Sequence, residues 1–298
     1  MDAFLRPTQG TSTQRRYIAA FIVILFMTIL GAASYSWLLQ EWRRVAFISV
    51  SPALTEFVFV IGYFSFVIIL GHVIATKAIL KRPFRSLVTP HARIQWPNIF
   101  AGALLVGVSI LFTYSLTMLF FPHAFTFNGF SFSTFMIFAG IMVVTVPIQT
   151  TAEELFFRGF CMQWISTIVQ HRPFIVVISV TLLFAGMHFW NPEMQFDPVI
   201  VGVGYLLLSF AYTHAVVLFD GLEFSIGAHA INNILLVLLF ALETNAFEMN
   251  TSVWTVEYSS FVYVILMWGM NALWYAGMLV IVYRQTLIRR IKKVSMRD

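Results

Sequence analysis

Eight stretches of the chain are almost entirely apolar, and short polar or charged segments separate them. At a rise of about 1.5 Å per residue, about 20 apolar residues form a helix that crosses the hydrocarbon core of a bilayer. The pattern therefore predicts an all-α, polytopic membrane protein with about eight transmembrane helices. The apolar runs are 17–39, 57–76, 99–121, 135–169, 174–190, 198–219, 225–242 and 261–283.

The fourth run, 135–169, is too long for one straight transmembrane helix, and Pro147 lies inside it. Proline lacks the backbone N–H that an α-helix needs, so a kink or break is expected there. If the run formed two spans, the total would be nine and the termini would lie on opposite sides of the membrane. The distribution of basic residues favours eight.

Composition supports the membrane assignment. The 298 residues are 59% hydrophobic and 10% charged, with a mean hydropathy of +0.84, whereas soluble domains carry about 25% charged residues. This leaves no room for a separate soluble domain. The single cysteine, Cys161, excludes an internal disulfide framework and a multi-cysteine metal site.

The net charge of +5 reflects membrane orientation rather than a nucleic-acid partner. With eight spans only Arg43 and Arg44 fall on the side opposite to the other basic residues, an exception without an explanation. The positive-inside rule then places both termini in the cytoplasm. The membrane is expected to be the cell membrane. The basic C-terminal cluster is expected to contact an anionic inner leaflet. The basic residues on the cytoplasmic side are Arg6, Arg15, Arg16, Lys77, Lys81, Arg82, Arg85, Arg93, Arg172, Arg284, Arg289, Arg290, Lys292, Lys293 and Arg297.

The segment 151–158, T-A-E-E-L-F-F-R, places three charges inside the fourth apolar run. A charge in the bilayer centre costs at least about 2.5–3.5 kcal/mol, so such residues face a protein interior and are usually functional. On a helix Glu154 and Arg158 are one turn apart and form an ion pair. Glu153 points about 100° away and has no expected partner in its own segment. One carboxylate is paired and one is free.

Two later runs also place polar residues one helical turn apart. Phe184 and His188 share one helix face, and so do His229 and Asn233. A free carboxylate, two imidazoles and an amide in one cavity could activate water and stabilise an oxyanion, as acyl hydrolysis requires. Three other polar residues in the spans are interpreted as structural: His72 and His214 as interhelical hydrogen-bonding residues, and Asn232 as a packing or helix–helix residue.

These three motifs, in this order, resemble the CPBP intramembrane peptidases, also called the CAAX-protease or abortive-infection family, which includes the Rce1-type enzymes. The family pattern EExxxR, FxxxH and HxxxN/D is matched by E153-E154-L-F-F-R158, F184-A-G-M-H188 and H229-A-I-N-N233. The resemblance implies an intramembrane glutamic or metallo-endopeptidase. It implies that Glu153 and His188 activate water, that His229 and Asn233 bind the oxyanion or help hold a metal, and that Glu154 and Arg158 order the site.

The resemblance also implies a substrate class and a division of the chain. The substrate is expected to be a membrane-associated or lipidated peptide, cut in CAAX-type processing or in bacteriocin or signal-peptide maturation. The predicted parts are a cytoplasmic segment (1–16), N-terminal transmembrane helices (17–133), a catalytic core (134–242) and a last helix with a basic tail (243–298). Zinc in catalytic sites takes three protein ligands plus water, and Glu153, His188 and His229 are the candidate ligands. A metal-free mechanism uses the same residues, so both remain open.

Other functions are weighed against this one. The chain has no HExxH zinc motif and no GxSxG serine motif, and its four aspartates lie at the termini or in loops. A proton-coupled transporter would also use intramembrane acids and histidines, but no pair of broken helices repeats in two halves. A non-proteolytic immunity or binding protein of the same fold is the other alternative, although it would have no need for a free Glu153.

One geometric conflict arises from the predicted topology. His188 ends a span that begins on the cytoplasmic side, about 24 Å away, whereas His229 lies only a few residues after Asp220 and Glu223 on that same side. The two histidines can meet only if the loop 191–197 dips inward or if the helix of His229 starts deep in the protein. A water-filled cavity tolerates such irregular backbone.

Overall fold

The computed structural model describes residues 3–45, 58–242, 252–257 and 259–295, and side chains outside 42–45, 59–60, 242 and 288–295. The description therefore excludes the side chains of Arg43, of Arg44 and of the basic cluster beyond Leu287. It also excludes the whole of Arg297 and of the loop acids Glu243 and Glu248. Arg284 is exposed.

The described chain is all-α apart from one small sheet. Its α-helices are α1 (Gln14–Val45), α2 (Ser65–Ile74), α3 (Trp96–Phe120), α4 (Phe132–Glu154), α5 (Met162–Ile168), α6 (Pro173–Met187), α7 (Pro198–Phe219), α8 (Glu223–Leu238), α9 (Ser260–Tyr263) and α10 (Met270–Ser295). Four π-helical segments continue these helices: Val58–Phe64, Ala75–Ile79, Leu155–Cys161 and Val264–Gly269. Short 3₁₀ turns lie at Phe84–Leu87, Pro122–Ala124 and Pro192–Gln195.

Six described helical stretches are long and apolar enough to cross a membrane. The other two predicted runs form the shorter apolar helices α6 and α8, of 15 and 16 residues. At about 1.5 Å per residue they span roughly 22–24 Å, less than the hydrocarbon thickness. The polytopic all-α fold is confirmed, and the two short helices are those that carry the histidine motifs. The six stretches are Gln14–Glu41, Ile61–Ile79, Trp96–Phe120, Phe132–Ile168, Pro198–Phe219 and Ser260–Leu287.

Pro147 does not break the fourth apolar run. It lies inside α4, and the helical chain continues through the π-helical segment to Ile168 as one stretch of 37 residues. Near the proline, the Thr150 hydroxyl donates a hydrogen bond to the Val146 carbonyl at 3.1 Å. Of the expected kink or break, the break does not occur, and the run forms one continuous element.

The loops at one end of the helix bundle contact one another. The Phe4 amide donates to Asp220 Oδ1 at 2.9 Å, and the Leu222 amide donates to the Val88 carbonyl at 2.7 Å. At the opposite end lies the sheet, in the order β1 (Phe125–Phe127), β3 (Trp254–Val256), β2 (Phe240–Leu242). The eight-span topology, in which successive helices run in opposite directions, predicts these same two sets of loops at opposite ends of the bundle. The predicted seventh run ends as strand β2 rather than as helix.

Helices α3 and α8 pack closely because glycines lie at their contact. A Cβ atom on Gly227 would lie 1.9 Å from the Ile99 carbonyl oxygen, and one on Gly102 would lie 2.1 Å from that of Phe224. Small residues let helix backbones approach in this way. The close contact brings α8, with its histidine motif, into the centre of the bundle. Glu223, Phe224 and Leu222 are all buried, so α8 begins inside the protein.

Candidate active site

The acidic motif lies where α4 becomes π-helical. Glu153 and Glu154 are the last residues of α4, and Arg158 lies within the segment Leu155–Cys161. Single π-helical turns occur often at functional sites. Arg158 Nη1 donates to Glu154 Oε1 at 2.9 Å, and neither side chain is exposed to solvent. The ion pair expected from their spacing is confirmed.

Arg158 is enclosed by two further helices. Its Nε donates to Thr213 Oγ1 and its Nη2 donates to Ser209 Oγ, both at 3.3 Å and both on α7. The guanidinium carbon lies 3.9 Å from the centre of the Phe184 ring, a cation–π contact. A buried guanidinium needs such partners, since an unpaired charge in the interior is very costly. The arginine therefore connects α4, α6 and α7.

His229 contacts both glutamates. Its Nδ1 lies 2.8 Å from Glu154 Oε1, and its Nε2 lies 3.7 Å from Glu153 Oε2. An ionised carboxylate can only accept, so Nδ1 carries the hydrogen. Nε2 is left facing Glu153. The imidazole also stacks on the Tyr212 ring, with centres 5.3 Å apart and planes 30° apart, which holds its orientation.

Glu153 faces a cavity, with 29% of its side chain exposed. Its partner lies one turn before the segment 151–158, where Gln149 Nε2 donates a hydrogen bond to Glu153 Oε1. Gln149 and Glu153 have the same four-residue spacing as Glu154 and Arg158, so this partner could have been found in the sequence. Glu153 Oε2 faces His229 at 3.7 Å.

His188 lies at the C-terminal cap of α6. Its Nδ1 lies 2.7 Å from the Phe184 carbonyl oxygen, which leaves Nε2 available for substrate or water. The imidazole is layered between two rings, with centres 4.2 Å from Phe184 and 4.8 Å from Tyr205. Phe184 also lies 6.1 Å from the His229 ring. This one aromatic ring therefore separates and orients both histidines.

The two asparagines of α8 lie beside the histidine. Asn233 Nδ2 is 3.5 Å from Gln149 Oε1, and Asn233 Oδ1 accepts from Asn232 Nδ2 at 3.0 Å. The donor of Asn232 is therefore used within its own helix. Its Oδ1 is buried and has no hydrogen-bond partner among the described residues.

One cavity of about 310 Å³ brings four of the six predicted site residues together: Glu153, His188, His229 and Asn233. Glu154 and Arg158 lie behind it. The loop between α6 and α7 folds over the cavity, with Asn191 and Glu193 in its lining. The inward loop and the buried start of α8 together resolve the geometric conflict between the histidines.

Several cavity residues have no counterpart among the sequence-derived candidates. Tyr205 of α7 hydrogen-bonds to Asn191 and Glu193 of the loop, and all three line the cavity. Asn271 lines it from α10. Nothing in their spacing distinguishes them, since each reaches the cavity through the packing of a different element.

The other two histidines in the spans lie outside the cavity lining. His214 Nδ1 lies 2.7 Å from the Tyr275 hydroxyl on α10, which confirms an interhelical hydrogen bond. His72 does not make one in the described chain. Its Nδ1 contacts the Ile68 carbonyl in its own helix at 2.9 Å, and its Nε2 is buried without a partner.

The fit of a metal can be examined from the donor atoms. Within the described ranges, no three His, Cys, Asp or Glu side chains are grouped closely enough to hold one ion. His229 Nδ1 and His188 Nδ1 contact Glu154 and the Phe184 carbonyl, so only the Nε2 atoms of the two histidines could bind an ion. Because no three such side chains are grouped around one position, the described arrangement does not fit a three-ligand zinc site. Zinc stays a prediction from the resemblance.

The fold and the site together define a class: a multi-pass membrane protein with a carboxylate, two imidazoles and amides in an internal cavity. The sequence model of the family "Type II CAAX prenyl endopeptidase Rce1-like" matches residues 132–235, a range that contains every predicted site residue. The chain is also 32% identical over 264 residues to YyaK of Bacillus subtilis (strain 168), described as an uncharacterized protein. That match covers 86% of this chain and 88% of YyaK.

The chain therefore belongs to the Rce1-like family of integral, multi-pass membrane proteins, and membership indicates a peptidase. No solved structure matches it.

Proposed function

We propose that the protein is an intramembrane endopeptidase that hydrolyses a peptide bond of a membrane-associated or lipidated protein or peptide. The observation that supports this most directly is the meeting of Glu153, His188, His229 and Asn233, from three separate helical elements, in one cavity. A structural role would not require a partly exposed carboxylate beside two imidazoles.

The proposed reaction begins with a water molecule between Glu153 and His188. Glu153 Oε2 accepts a proton from the water as its oxygen attacks the carbonyl carbon, with His188 Nε2 orienting that water. The carbonyl π electrons move to oxygen and form a tetrahedral oxyanion, which His229 Nε2 and Asn233 Nδ2 stabilise by donating hydrogen bonds. His229 serves in this step as the imidazolium. The proton on Glu153 then passes to the leaving nitrogen as the C–N bond breaks.

Glu154 and Arg158 act in this scheme as positioning residues. Glu154 holds His229 through Nδ1, and Arg158 holds Glu154 at 2.9 Å. The imidazole can donate to an oxyanion from Nε2 while Nδ1 donates to Glu154 only when both ring nitrogens carry hydrogen.

The cellular setting is part of the proposal. We place the protein in the cell membrane with both termini in the cytoplasm and with its basic C-terminal tail on an anionic inner leaflet. A cavity between the helices is compatible with CAAX-type processing and with bacteriocin or signal-peptide maturation.

The test is a cleavage assay of the purified protein in nanodiscs with quenched, membrane-anchored peptides. Glu153→Gln and His188→Ala are each expected to lower kcat by about 10²–10⁴-fold, the usual contribution of a general acid–base group, without loss of folding. His214→Ala is the matched control, since this histidine lies outside the cavity lining, and it should retain activity. Full cleavage by Glu153→Gln would refute the mechanism.

A chelator arm addresses the zinc. Loss of wild-type activity that Zn²⁺ restores and Mg²⁺ does not would show that activity requires zinc, with Glu153, His188 and His229 as the candidate ligands. Retained activity would support hydrolysis by the protein side chains alone.

A further inference from the structure

The loop over the cavity holds one carboxylate in a fixed position. Tyr205 donates a short hydrogen bond to Glu193 Oε1. Asn191 Nδ2 donates to the Tyr205 hydroxyl at 2.7 Å and lies 3.3 Å from the same Glu193 oxygen. Two donors from different elements therefore converge on one oxygen of Glu193. The proposed activation of water does not use Glu193, Asn191 or Tyr205.

The second oxygen of Glu193 has no such partner. Glu193 Oε2 is buried and makes no hydrogen bond within the described part of the chain. Asn232 Oδ1 is in the same state, and the Asn232 side chain is only 4% exposed. Both residues line the cavity. A buried acceptor without a donor is unfavourable, and more so when it is charged, so these two oxygens indicate a ligand that donates hydrogen bonds.

The charge of the lining indicates the sign of that ligand. Among the described residues that line the cavity, Glu153 and Glu193 are carboxylates and none is lysine or arginine. The nearby Arg158 is fully buried and already paired with Glu154. A negatively charged group in this cavity would find no lysine or arginine to pair with among the described lining residues.

The fixed carboxylate lies close to the proposed reaction centre. The Tyr205 ring that holds Glu193 also packs on the His188 imidazole, with ring centres 4.8 Å apart. A single aromatic ring thus separates the subsite from a residue that we assign to water activation. The adjoining wall is apolar, with Leu208, Leu236, Met267 and Met270, which suits the aliphatic stem of a long basic side chain.

We propose that Glu193 and Asn232 form a subsite for a lysine or arginine side chain of the substrate, next to the bond that is cut. Its ammonium or guanidinium group donates to Glu193 Oε2 and Asn232 Oδ1, and such charge-assisted bonds are stronger than neutral ones. The substrate class is therefore a peptide with a basic residue beside the scissile bond. This inference rests on the proposed function, because it names the substrate of the same cavity.

The experiment compares membrane-anchored quenched peptides that differ only by Lys, Gln or Glu, placed in turn at each of the three positions on either side of the cut. At one position the wild type is expected to show a kcat/KM about tenfold higher for Lys than for Gln, equivalent to about 1.4 kcal/mol, and lowest for Glu. In Glu193→Gln the Lys-to-Gln ratio should fall to within about twofold. Glu257→Gln, an exposed acid outside the cavity lining, should keep the wild-type ratio.

A wild-type ratio near one at every position, or a ratio that Glu193→Gln leaves unchanged, would overturn the subsite. If Glu193→Gln does not fold, Tyr205→Phe takes its place, since it removes a donor to Glu193 Oε1 and keeps the carboxylate. Its ratio should lie between wild type and unity, and an unchanged ratio would again overturn the subsite.

Equilibrium binding of fluorescent, non-cleavable versions of the same peptides separates the two proposals. Tighter binding of the Lys peptide that depends on Glu193, without cleavage of any peptide by the wild type, would support the subsite and refute the peptidase. Cleavage without a preference for Lys would support the peptidase and refute the subsite.

Discussion

Two adjacent glutamates of α4 occupy opposite environments. Glu154 has no exposed side-chain surface and contacts Arg158 and His229, whereas Glu153 is 29% exposed, faces the cavity and accepts from Gln149. Consecutive helical residues differ in direction by about 100°, so one points into the bundle and its neighbour into the cavity. In the proposed mechanism the same chemical group serves as a fixed counter-ion at Glu154 and as a proton acceptor at Glu153.

The difference supports the separate tasks that we propose for the two carboxylates. A buried ion pair is a weak source of stability, but loss of one partner leaves an unpaired charge inside the protein. In the proposed mechanism Glu153 accepts and returns a proton at the edge of the cavity, apart from that pair. Substitutions around Glu154 should therefore lower the stability of the protein, whereas substitutions around Glu153 should lower the catalytic rate.

The largest effect on stability is expected from Arg158→Met. Removal of the guanidinium leaves Glu154 charged and buried, so the free energy of unfolding should fall by about 3–5 kcal/mol. Tryptophan fluorescence during thermal unfolding in nanodiscs measures the change. The double variant Glu154→Gln with Arg158→Met should regain much of the stability but little activity, because His229 has lost its ionised partner. A single variant as stable as wild type would contradict the assigned environment of Glu154.

An intermediate effect is expected from Phe184→Leu, which alters the boundary between the two environments. The ring lies against Arg158 on one side and His188 on the other. Its loss should lower kcat by about tenfold through misplacement of His188, since small displacements of catalytic groups are costly. The matched control is Phe160→Leu, which removes a buried ring outside the cavity lining. It should lose stability but keep the kcat of the folded fraction, and an equal loss of kcat in both variants would argue against a positioning role.

The smallest effect is expected from Gln149→Met, which alters the surroundings of the partly exposed Glu153. This substitution removes the donor to Glu153 and the acceptor near Asn233. One hydrogen bond contributes about 0.5–1.5 kcal/mol, or roughly two- to tenfold in kcat. Gln285→Met, on an exposed position of α10, serves as the control. A kcat unchanged by Gln149→Met would mean that Gln149 does not orient Glu153.

Helical spacing predicted part of the site and missed other parts for a physical reason. The Glu154–Arg158 pair follows from four-residue spacing, and the Gln149–Glu153 contact obeys the same rule but was not identified. The contact of His229 with Glu154 joins residues 75 positions apart, and no local spacing contains it. The same holds for the Tyr205 contact with His188, which depends on how α7 packs beside the end of α6.

Local geometry and composition by themselves determined the all-α membrane fold, the ion pair and the residues able to do chemistry. These features depend on helix periodicity and on transfer of apolar side chains from water to lipid, and both operate over short stretches of chain. The tertiary structure alone decided that α6 and α8 are short and that the α6–α7 loop turns inward. It also decided that His229 contacts Glu154 and that Tyr205 packs on His188. Those outcomes depend on close helix contacts such as that at Gly102 and Gly227, where the shape of one helix limits the position of another.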